Sequence, residues 1–431
     1  MAGAGGIWRR LLRRVGAMRD RLWFQWFRTY RAFALFIAGF VALFGDLVGP
    51  FQSVLPRSVR WWAAISNHYG MTLLQFVLGV VTVWTVIQLA WRAVRLRRAE
   101  TMELRPADAS GDAWVKGIKG RTDPVVIVRG VNGVVALNAA VDAALDQASN
   151  PIRRVKRPYN LPMNLAPWRP LATPHINPWT VNEAKVGLRT EIDAAFVDGG
   201  APVVLQDTDY LLDRCSNGVV VQQVWDRERD EPAWNGRPCF VSDDGFLLPL
   251  DSAFASNQLG GSTLLIDMSW NIHLTRQTSK AAESAGLLAP TGSGSFDLRR
   301  LRQARSRRRS VDFQAFARSE IERELREETG LEIRRDEIVT ILIGFGRYLY
   351  RGGKPEIFAV SGLRRSTAEM RVRPGEDLWT AGHAQHPWRD LETSDAGLGG
   401  QMSAPLAANL HLLRAFLASP ASADFRRFLA P

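Results

Sequence analysis

Hydrophobic positions change their spacing near residue 100, from long uncharged runs to shorter runs of helix or strand length. In residues 7–28, apolar side chains recur at helical spacing with arginines between them, which predicts a basic amphipathic helix at a membrane interface. Apolar runs follow at residues 32–54 and 71–91, and the second is uncharged and long enough for the ~30 Å hydrocarbon core of a bilayer. The pattern therefore predicts a basic helix and two transmembrane helices within residues 1–98.

Alternatives stay open for each of these segments. The basic helix is also typical of a targeting peptide or a nucleic-acid arm, and a buried hairpin in a soluble domain would give similar apolar runs. The first run reaches spanning length only by including Asp46 and Pro50, so it is either a bent span or a re-entrant segment. Asp46 is then a functional residue within the membrane or an interfacial residue at the end of a short span.

The arginines around the two spans predict their orientation. They flank the pair on both outer sides: Arg28, Arg31, Arg92, Arg95, Arg97 and Arg98. The connecting loop carries only Arg57 and Arg60. By the positive-inside rule, both termini face the cytoplasm, and we expect a multi-pass protein of the inner (cytoplasmic) membrane.

Residues 99–123 are polar and predict a linker, and residues 124–258 predict an α/β accessory region. Apolar runs at residues 124–128, 202–205 and 218–221 predict strands, and residues 136–147 predict a short helix. Whether this region is a separate domain or an elaboration of the core after it stays open.

From residue 259 to the end, the pattern predicts a second mixed region. Residues 262–267 and 271–276 predict a hairpin, and residues 338–344, 348–350 and 357–360 predict further strands. A helix is predicted from about Val311, and residues 406–417 predict another helix. The expected fold class is therefore α/β with a mixed sheet.

Carboxylates crowd one face of the helix that begins near Val311. Its apolar stripe is Ala317, Ile321 and Leu325, and the acidic residues on another face are Glu320, Glu324, Glu327 and Glu328. Gly330 then suits a helix C-cap. Like charges at this spacing repel, so either a hard divalent cation such as Mg²⁺ binds there or the face is a solvated acidic surface.

Residues 323–331, Arg-Glu-Leu-Arg-Glu-Glu-Thr-Gly-Leu, closely resemble the C-terminal half of the Nudix box. The resemblance implies a Nudix-type α/β/α sandwich with a mixed sheet and a Mg²⁺- or Mn²⁺-dependent attack of water on a phosphoanhydride. It also implies that Glu324, Glu327 and Glu328 bind the metal and that Arg323 braces them.

The first half of the box departs from the family pattern. Residues 287–295 resemble the turn that precedes the helix, and Gly292 is the match for its metal-binding carbonyl. The upstream glutamate of the family would align with Ala315 and is missing. An insertion separates turn and helix and is rich in arginine: Arg299, Arg300, Arg302, Arg305, Arg307, Arg308 and Arg309. These arginines either bind phosphate or nucleic acid, or form a mobile solvated loop.

Further site residues are predicted outside the box. Glu356 is the candidate for the extra carboxylate that Nudix enzymes often supply as base or metal ligand. Arg276, at the end of the predicted hairpin, and Arg351 and Lys354, in the turn before Glu356, are candidates for substrate contacts. The alternative for each is a structural role at the end of a strand.

Composition narrows the setting and the partners. The net charge is +12, and the arginines concentrate in the N-terminal segment and the insertion. The cysteines, Cys215 and Cys239, form neither a disulfide framework nor a CxxC metal pair, which fits a reducing compartment. The expected partners are a nucleotide-type small molecule and a lipid bilayer. Nucleic acid is not expected as a partner.

Three functions remain open from the sequence. The first is a membrane-anchored hydrolase of a nucleoside diphosphate linked to another group. The second is a non-hydrolytic Nudix-like nucleotide sensor coupled to a membrane effector. The third is a ligand-gated pore, which two spans per chain could build only as a homo-oligomer.

Overall fold

The computed structural model describes residues 84, 101–106, 117–172, 182–281, 284–307, 310–365, 370–372, 377–398 and 400–430. The chain divides into two compact units, Met1–Met102 and Glu103–Pro431. The predicted basic helix and both predicted spans lie outside the described residues, apart from Trp84. Within the described ranges, no helix is both long enough and apolar enough to cross a bilayer.

Short strands make up much of the described chain. They are β1 (Met102–Pro106), β2 (Val125–Gly130), β3 (Gly133–Asn138), β4 (Ile152–Arg154), β5 (Ala184–Leu188), β6 (Val203–Asp209), β7 (Gln222–Asp226), β8 (Glu231–Asn235), β9 (Gly260–Asp267), β10 (Asn271–Gln277), β11 (Leu288–Ala289), β12 (Gly292–Ser295), β13 (Ile338–Tyr348), β14 (Lys354–Leu363) and β15 (Thr380–Pro387). The strand β1 lies within the stretch that the sequence predicts as a linker.

The described residues contain fewer α-helices than strands, and most of the longer helices follow β12. They are α1 (Ala144–Gln147), α2 (Arg169–Ala172), α3 (Ala194–Gly199), α4 (Tyr210–Ser216), α5 (Leu298–Arg307), α6 (Phe313–Thr329), α7 (Trp388–Leu391), α8 (Ala404–Ala418) and α9 (Ala423–Leu429).

One large mixed sheet organises the second unit. Its strand order is β11-β10-β9-β14-β13-β3-β2, with β12 also paired to β9 and β15 to β10. The central pair β9–β14 is parallel, whereas β13–β14, β9–β10 and β9–β12 are antiparallel. Two smaller sheets have the strand orders β1-β7-β8 and β4-β6-β5. The predicted mixed α/β fold class is therefore confirmed.

Helices cover both faces of this sheet because successive strand residues alternate between two apolar cores. On the helix-α6 face, Ile321 belongs to the same buried cluster as Ile357 and Ala359 of β14. On the opposite face, the neighbouring Phe358 belongs to a cluster with residues of α8 and α9. The sheet is thus the middle layer between α6 and the pair α8–α9.

Helix α6 begins and ends at local capping signals. The Asp312 side chain accepts a hydrogen bond from the Ala315 amide at 2.8 Å, which satisfies a donor that the first turn leaves open. Gly330 ends the helix in the left-handed conformation with φ 67°. The prediction of a helix from about Val311 to a glycine cap is confirmed to within two residues.

Two predicted elements are wrong because tertiary packing decides their form. Residues 218–221 form a turn after α4, in which Val219 and Val220 donate backbone hydrogen bonds to Ser216 and bury their side chains. The strand of this region is β7, which begins at Gln222. Residues 136–138 belong to β3, so only residues 144–147 of the predicted helix are helical.

The strand predicted to begin at Tyr348 is also wrong. Strand β13 runs without interruption to Tyr348, and residues 349–351 form a 3₁₀ turn before β14. The aromatic residues that suggested a new strand therefore belong to the end of one strand and the turn after it.

Parts of the predicted accessory region join the large sheet directly. Strands β2 and β3 pair with each other, and β3 pairs with β13. Strand β5 also approaches the start of β9 and the end of β12. Val186 donates to the Phe296 carbonyl at 3.1 Å, and Leu259 donates to the Val186 carbonyl at 2.8 Å. The accessory residues therefore help to form the surroundings of α6.

Candidate active site

Arg323 lies at the centre of the acidic face of α6. Its Nη1 donates to Glu327 Oε2 at 2.7 Å, and its Nη2 donates to Glu324 Oε1 at 2.6 Å and Glu320 Oε2 at 3.3 Å. Burial opposes the charge on Arg323, yet the surrounding carboxylates outweigh that effect and raise its pKa. One guanidinium therefore bridges three of the acidic residues that the sequence places on this face.

Glu324 is a carboxyl group of this cluster whose pKa is raised. Burial raises its pKa to about 7, although the positive charges of Arg323 and Lys185 act against the shift. The side chain lies against Gly294 of β12, and a Cβ at position 294 would overlap the Glu324 carboxylate. A glycine in β12 therefore makes room for a largely buried carboxyl group with a raised pKa.

Glu328 approaches the same strand one helical turn later. Its Oε1 accepts from the Ser293 amide at 3.4 Å and lies 3.5 Å from Ser293 Oγ. A Cβ on Gly292 would lie 2.8 Å from the backbone nitrogen of Leu325, so β12 packs directly on the helix backbone. The structure thus brings Gly292 and Gly294 together with Glu324 and Glu328.

The donor atoms at this site suit a divalent cation in kind. Carboxylate oxygens on α6 and backbone oxygens of β12 are hard ligands, and Gly294 lets the Glu324 carboxylate lie directly against β12. Glu327 is the most exposed of the three predicted metal ligands, with a side chain 42 % exposed and held by Arg323. Among the described residues, however, no three acidic, histidine or cysteine side chains converge to metal-binding distance.

Glu356 and Lys354 are not brought to this cluster. Lys354 Nζ donates to Glu356 Oε2 at 2.7 Å, and Ser262 Oγ donates to Glu356 Oε1 at 2.7 Å. A Cβ on Gly260 would meet this ion pair, whereas a Cβ on the adjacent Gly261 would meet Ile321 of α6. Neighbouring strand residues face opposite sides, so the ion pair lies on the sheet face away from α6. A catalytic role for Glu356 and a substrate role for Lys354 stay predictions.

The other two predicted substrate residues also lie apart from the acidic cluster. Arg276 lies near the end of β10 on the same face as Ile272 and Leu274, away from α6. Its Nη1 donates to Gln401 Oε1 at 2.8 Å. Arg351 lies in the turn before β14 and is buried in an ion pair with Asp213 of α4. Their assignment to substrate stays a prediction.

The arginine-rich insertion is mainly a helix, α5, rather than a loop in its described part. Arg300 Nε donates to Glu320 Oε1 at 3.0 Å, and Arg302 Nη2 donates to Asp207 Oδ2 at 3.0 Å. Arg299 and Arg305 of the same helix are exposed. The insertion thus contributes at least two structural ion pairs, and a phosphate-binding role for its remaining arginines stays a prediction.

Two residues of the site carry no signal of a functional role in the sequence. Glu320 lies on the predicted acidic face, and the structure shows that it is fully buried and accepts a hydrogen bond from Arg323. Lys185 lies in β5, and its backbone forms an isolated bridge with Asp297 just after β12. Helical spacing signals Glu320, whereas no local pattern signals Lys185, because only the pairing of β5 beside β12 brings it near.

Comparisons with known proteins give only distant likenesses. No protein-family model matches the chain, and no curated protein matches it. Among solved structures, it is similar to the DR0079 protein from Deinococcus radiodurans at 15 % identity, covering 36 % of this chain and 81 % of that one, with a TM-score of 0.25.

Two other solved structures give comparable values. The MutT protein from Methanosarcina mazei is 12 % identical over 37 % of this chain and 94 % of that chain, with a TM-score of 0.23. The bifunctional NMN adenylyltransferase/ADP ribose pyrophosphatase from Francisella tularensis is 15 % identical over 38 % and 41 %, with a TM-score of 0.25. Identities and TM-scores this low carry no argument about function. Any argument about the function of this chain must therefore rest on its own motif and geometry.

Proposed function

We propose that the second unit is a Nudix-type hydrolase that cleaves a phosphoanhydride in a nucleoside diphosphate linked to another group. The observation that supports this most directly is the arrangement on α6. Arg323 bridges Glu324 and Glu327 within the box-like motif of residues 323–331, and a glycine-bearing strand packs against the same helix. The sequence motif and the contacts in the structure thus both point to Arg323, Glu324 and Glu327.

A divalent cation, Mg²⁺ or Mn²⁺, would be held by Glu324, Glu327 and Glu328 with the carbonyl of Gly292. When bound, it would supply charge neutralisation for the phosphates and a water of lowered pKa. The chain itself keeps the carboxylates in place through Arg323. Lys185 adds a positive charge near Glu324, where a negatively charged diphosphate would approach.

A non-hydrolytic nucleotide sensor is the second candidate. Two observations favour it: Ala315 replaces the upstream glutamate of the family, and no three ligand side chains converge among the described residues. In a sensor, the same acidic face would bind a metal–nucleotide complex without cleaving it.

Incubation with substrates separates these two functions. The intact chain is mixed with Mg²⁺ and a panel of nucleoside diphosphates linked to sugars, nucleosides or other groups, and products and retained ligand are both analysed by chromatography. Hydrolysis predicts a nucleoside monophosphate and a second phosphorylated product that both disappear in EDTA. Ligand retained without cleavage across the panel would favour the sensor and contradict the hydrolase.

We also propose that residues 1–98 anchor this unit to the inner membrane with both termini in the cytoplasm. The support is the distribution of arginines on the outer sides of the two apolar runs. Reporter fusions after Arg98 and at Pro431 should both read as cytoplasmic. A reading from the opposite side of the membrane at either position contradicts this topology.

A further inference from the structure

Glu320 is a fully buried carboxylate at the base of the acidic face of α6. Its Oε2 accepts from the Asp297 amide at 2.9 Å and from Arg323 Nη2 at 3.3 Å, and its Oε1 accepts from Arg300 Nε at 3.0 Å. A buried carboxylate is tolerated only when such donors surround it. Glu320 therefore ties together the end of β12, the insertion helix α5 and the arginine of the box-like motif.

The insertion that supplies Arg300 is itself fixed in place. Arg302, on the same helix, donates to Asp207 of β6, which also pairs with Arg154 of β4. Leu298 and Leu301 of α5 are buried in the same core as Ile321. Arg300 therefore reaches Glu320 from a helix held by both packing and ion pairs.

The position of Arg323 decides the direction of the predicted metal ligands. Its Nη1 donates to Glu327 at 2.7 Å, and its Nη2 donates both to Glu324 at 2.6 Å and to the buried Glu320 at 3.3 Å. Adjacent carboxylates that repel one another need such an anchor to keep one arrangement. Ala315, where the family carries a carboxylate, is exposed here and offers no such contact.

We propose that Glu320 and Arg300 are positioning residues that fix Arg323 and, through it, the direction of Glu324 and Glu327. The arginine-rich insertion then serves as an internal brace of the ligand-bearing helix. This inference rests on the proposed function, because the brace matters only if Glu324 and Glu327 bind a divalent cation.

The test measures Mn²⁺ affinity by electron paramagnetic resonance on the intact chain, together with kcat and KM. Glu320→Gln and Arg300→Ala should each weaken Mn²⁺ binding about 10- to 100-fold, as loss of partners behind metal ligands typically does. Most of the loss in turnover should appear in kcat, with little change in KM. Arg300→Lys, which keeps the charge, should retain much of the affinity.

Two matched variants serve as controls. Glu322→Gln removes an acidic partner of Arg326 on the same helix, where the ion pair is 3.2 Å long and outside the cluster. Arg427→Ala removes an exposed arginine of α9, which pairs with Asp424 at 2.8 Å. Both should leave Mn²⁺ affinity within about twofold of the wild type, as surface substitutions do. Combining Glu320→Gln with Arg300→Ala should cost no more than the worse single change, because the two residues act as one unit.

The outcomes separate the brace from the proposed function. A wild-type chain that neither binds Mn²⁺ nor hydrolyses any diphosphate overturns the function and the brace together. A wild-type chain that binds Mn²⁺, with Glu320→Gln and Arg300→Ala behaving like the controls, overturns the brace alone. A raised KM with unchanged Mn²⁺ affinity in Arg300→Ala shows a substrate contact and also overturns it. If Glu320→Gln does not fold, Arg300→Ala alone tests the brace, because the Arg300 side chain is half-exposed and its loss should not unfold the chain.

Discussion

Gly294 controls how close the carboxylate of Glu324 can lie to strand β12. A side chain at position 294 would occupy the space of the Glu324 carboxylate, which is the movable end of a flexible side chain. Gly294→Ala should therefore leave the fold intact while displacing Glu324, and should lower metal-dependent turnover about 10- to 100-fold. Steady-state kinetics with circular dichroism as a folding check measures both.

Gly382→Ala is the matched control for this change. Gly382 also lies in a strand, and a Cβ there would meet nothing within 4 Å. It should leave turnover unchanged. Equal rates for the two alanine variants would show that the position of Glu324 does not matter for the reaction.

The raised pKa of Glu324 predicts how stability depends on pH without metal. The folded pKa is about 7 against an ordinary value of 4.5, so between these values the folded chain keeps a proton that the unfolded chain has lost. The contribution of Glu324 to the free energy of unfolding should therefore fall as pH rises from about 4.5 to 7, by up to about 1.4 kcal/mol per pH unit. Urea denaturation in EDTA at several pH values measures the slope.

Glu324→Gln supplies the comparison because it cannot titrate. Relative to this variant, the wild-type chain should lose stability as pH rises from about 4.5 to 7. Above pH 8 the difference in the free energy of unfolding between the two chains should stay constant. Identical pH dependence of the two chains would mean that Glu324 titrates at its ordinary pKa.

Among the elements, α6 begins at an N-cap that makes two side-chain contacts. Asp312 accepts from the Ala315 amide at 2.8 Å, and it also accepts from Ser149 Oγ at 2.9 Å. Asp312→Ala should lower the free energy of unfolding by about 1–2 kcal/mol, as loss of a cap does. Chemical denaturation measures the change. Asp336→Ala, at an exposed turn, should keep the free energy of unfolding within about 0.5 kcal/mol of the wild type. An equal loss in the two variants would show that the Asp312 cap does not stabilise the protein.

Elements with local signals could be predicted from the sequence. The end of α6 is set by Gly330 and its start by Asp312, both within reach of a local pattern, and the hairpin β9–β10 follows from two apolar runs. The strand predicted at residues 218–221 is wrong because a buried turn and a buried strand share the same apolar composition. Only packing against the rest of the core distinguishes them.

The candidate site shows the same division. The spacing of Arg323, Glu324 and Glu328 on one helix could be predicted because helical geometry is periodic. The separation of Glu356 from that cluster could not, because it depends on the register of β14 against β9, which no local pattern contains. The contact of Arg300 with Glu320 likewise requires the position of α5 in three dimensions.

At the scale of the whole molecule, residues from distant parts of the second unit converge on α6. Strand β5 of the predicted accessory region pairs beside β12, and β3 extends the sheet at β13. A fragment beginning at residue 259 would lose both. Activity should therefore be measured on a chain that retains these strands.

The central claim is that α6 carries metal-dependent hydrolysis, and the rate of diphosphate cleavage by Glu327→Gln tests it most directly. This change removes a charge at a half-exposed position while nearly preserving shape, so the fold should survive. With Mg²⁺, turnover should fall by about 10²–10³-fold or more, whereas Glu322→Gln on the same helix should match the wild type. Cleavage by the wild-type chain that persists in EDTA would show that this helix is not the catalytic centre. An unchanged rate in Glu327→Gln would show the same.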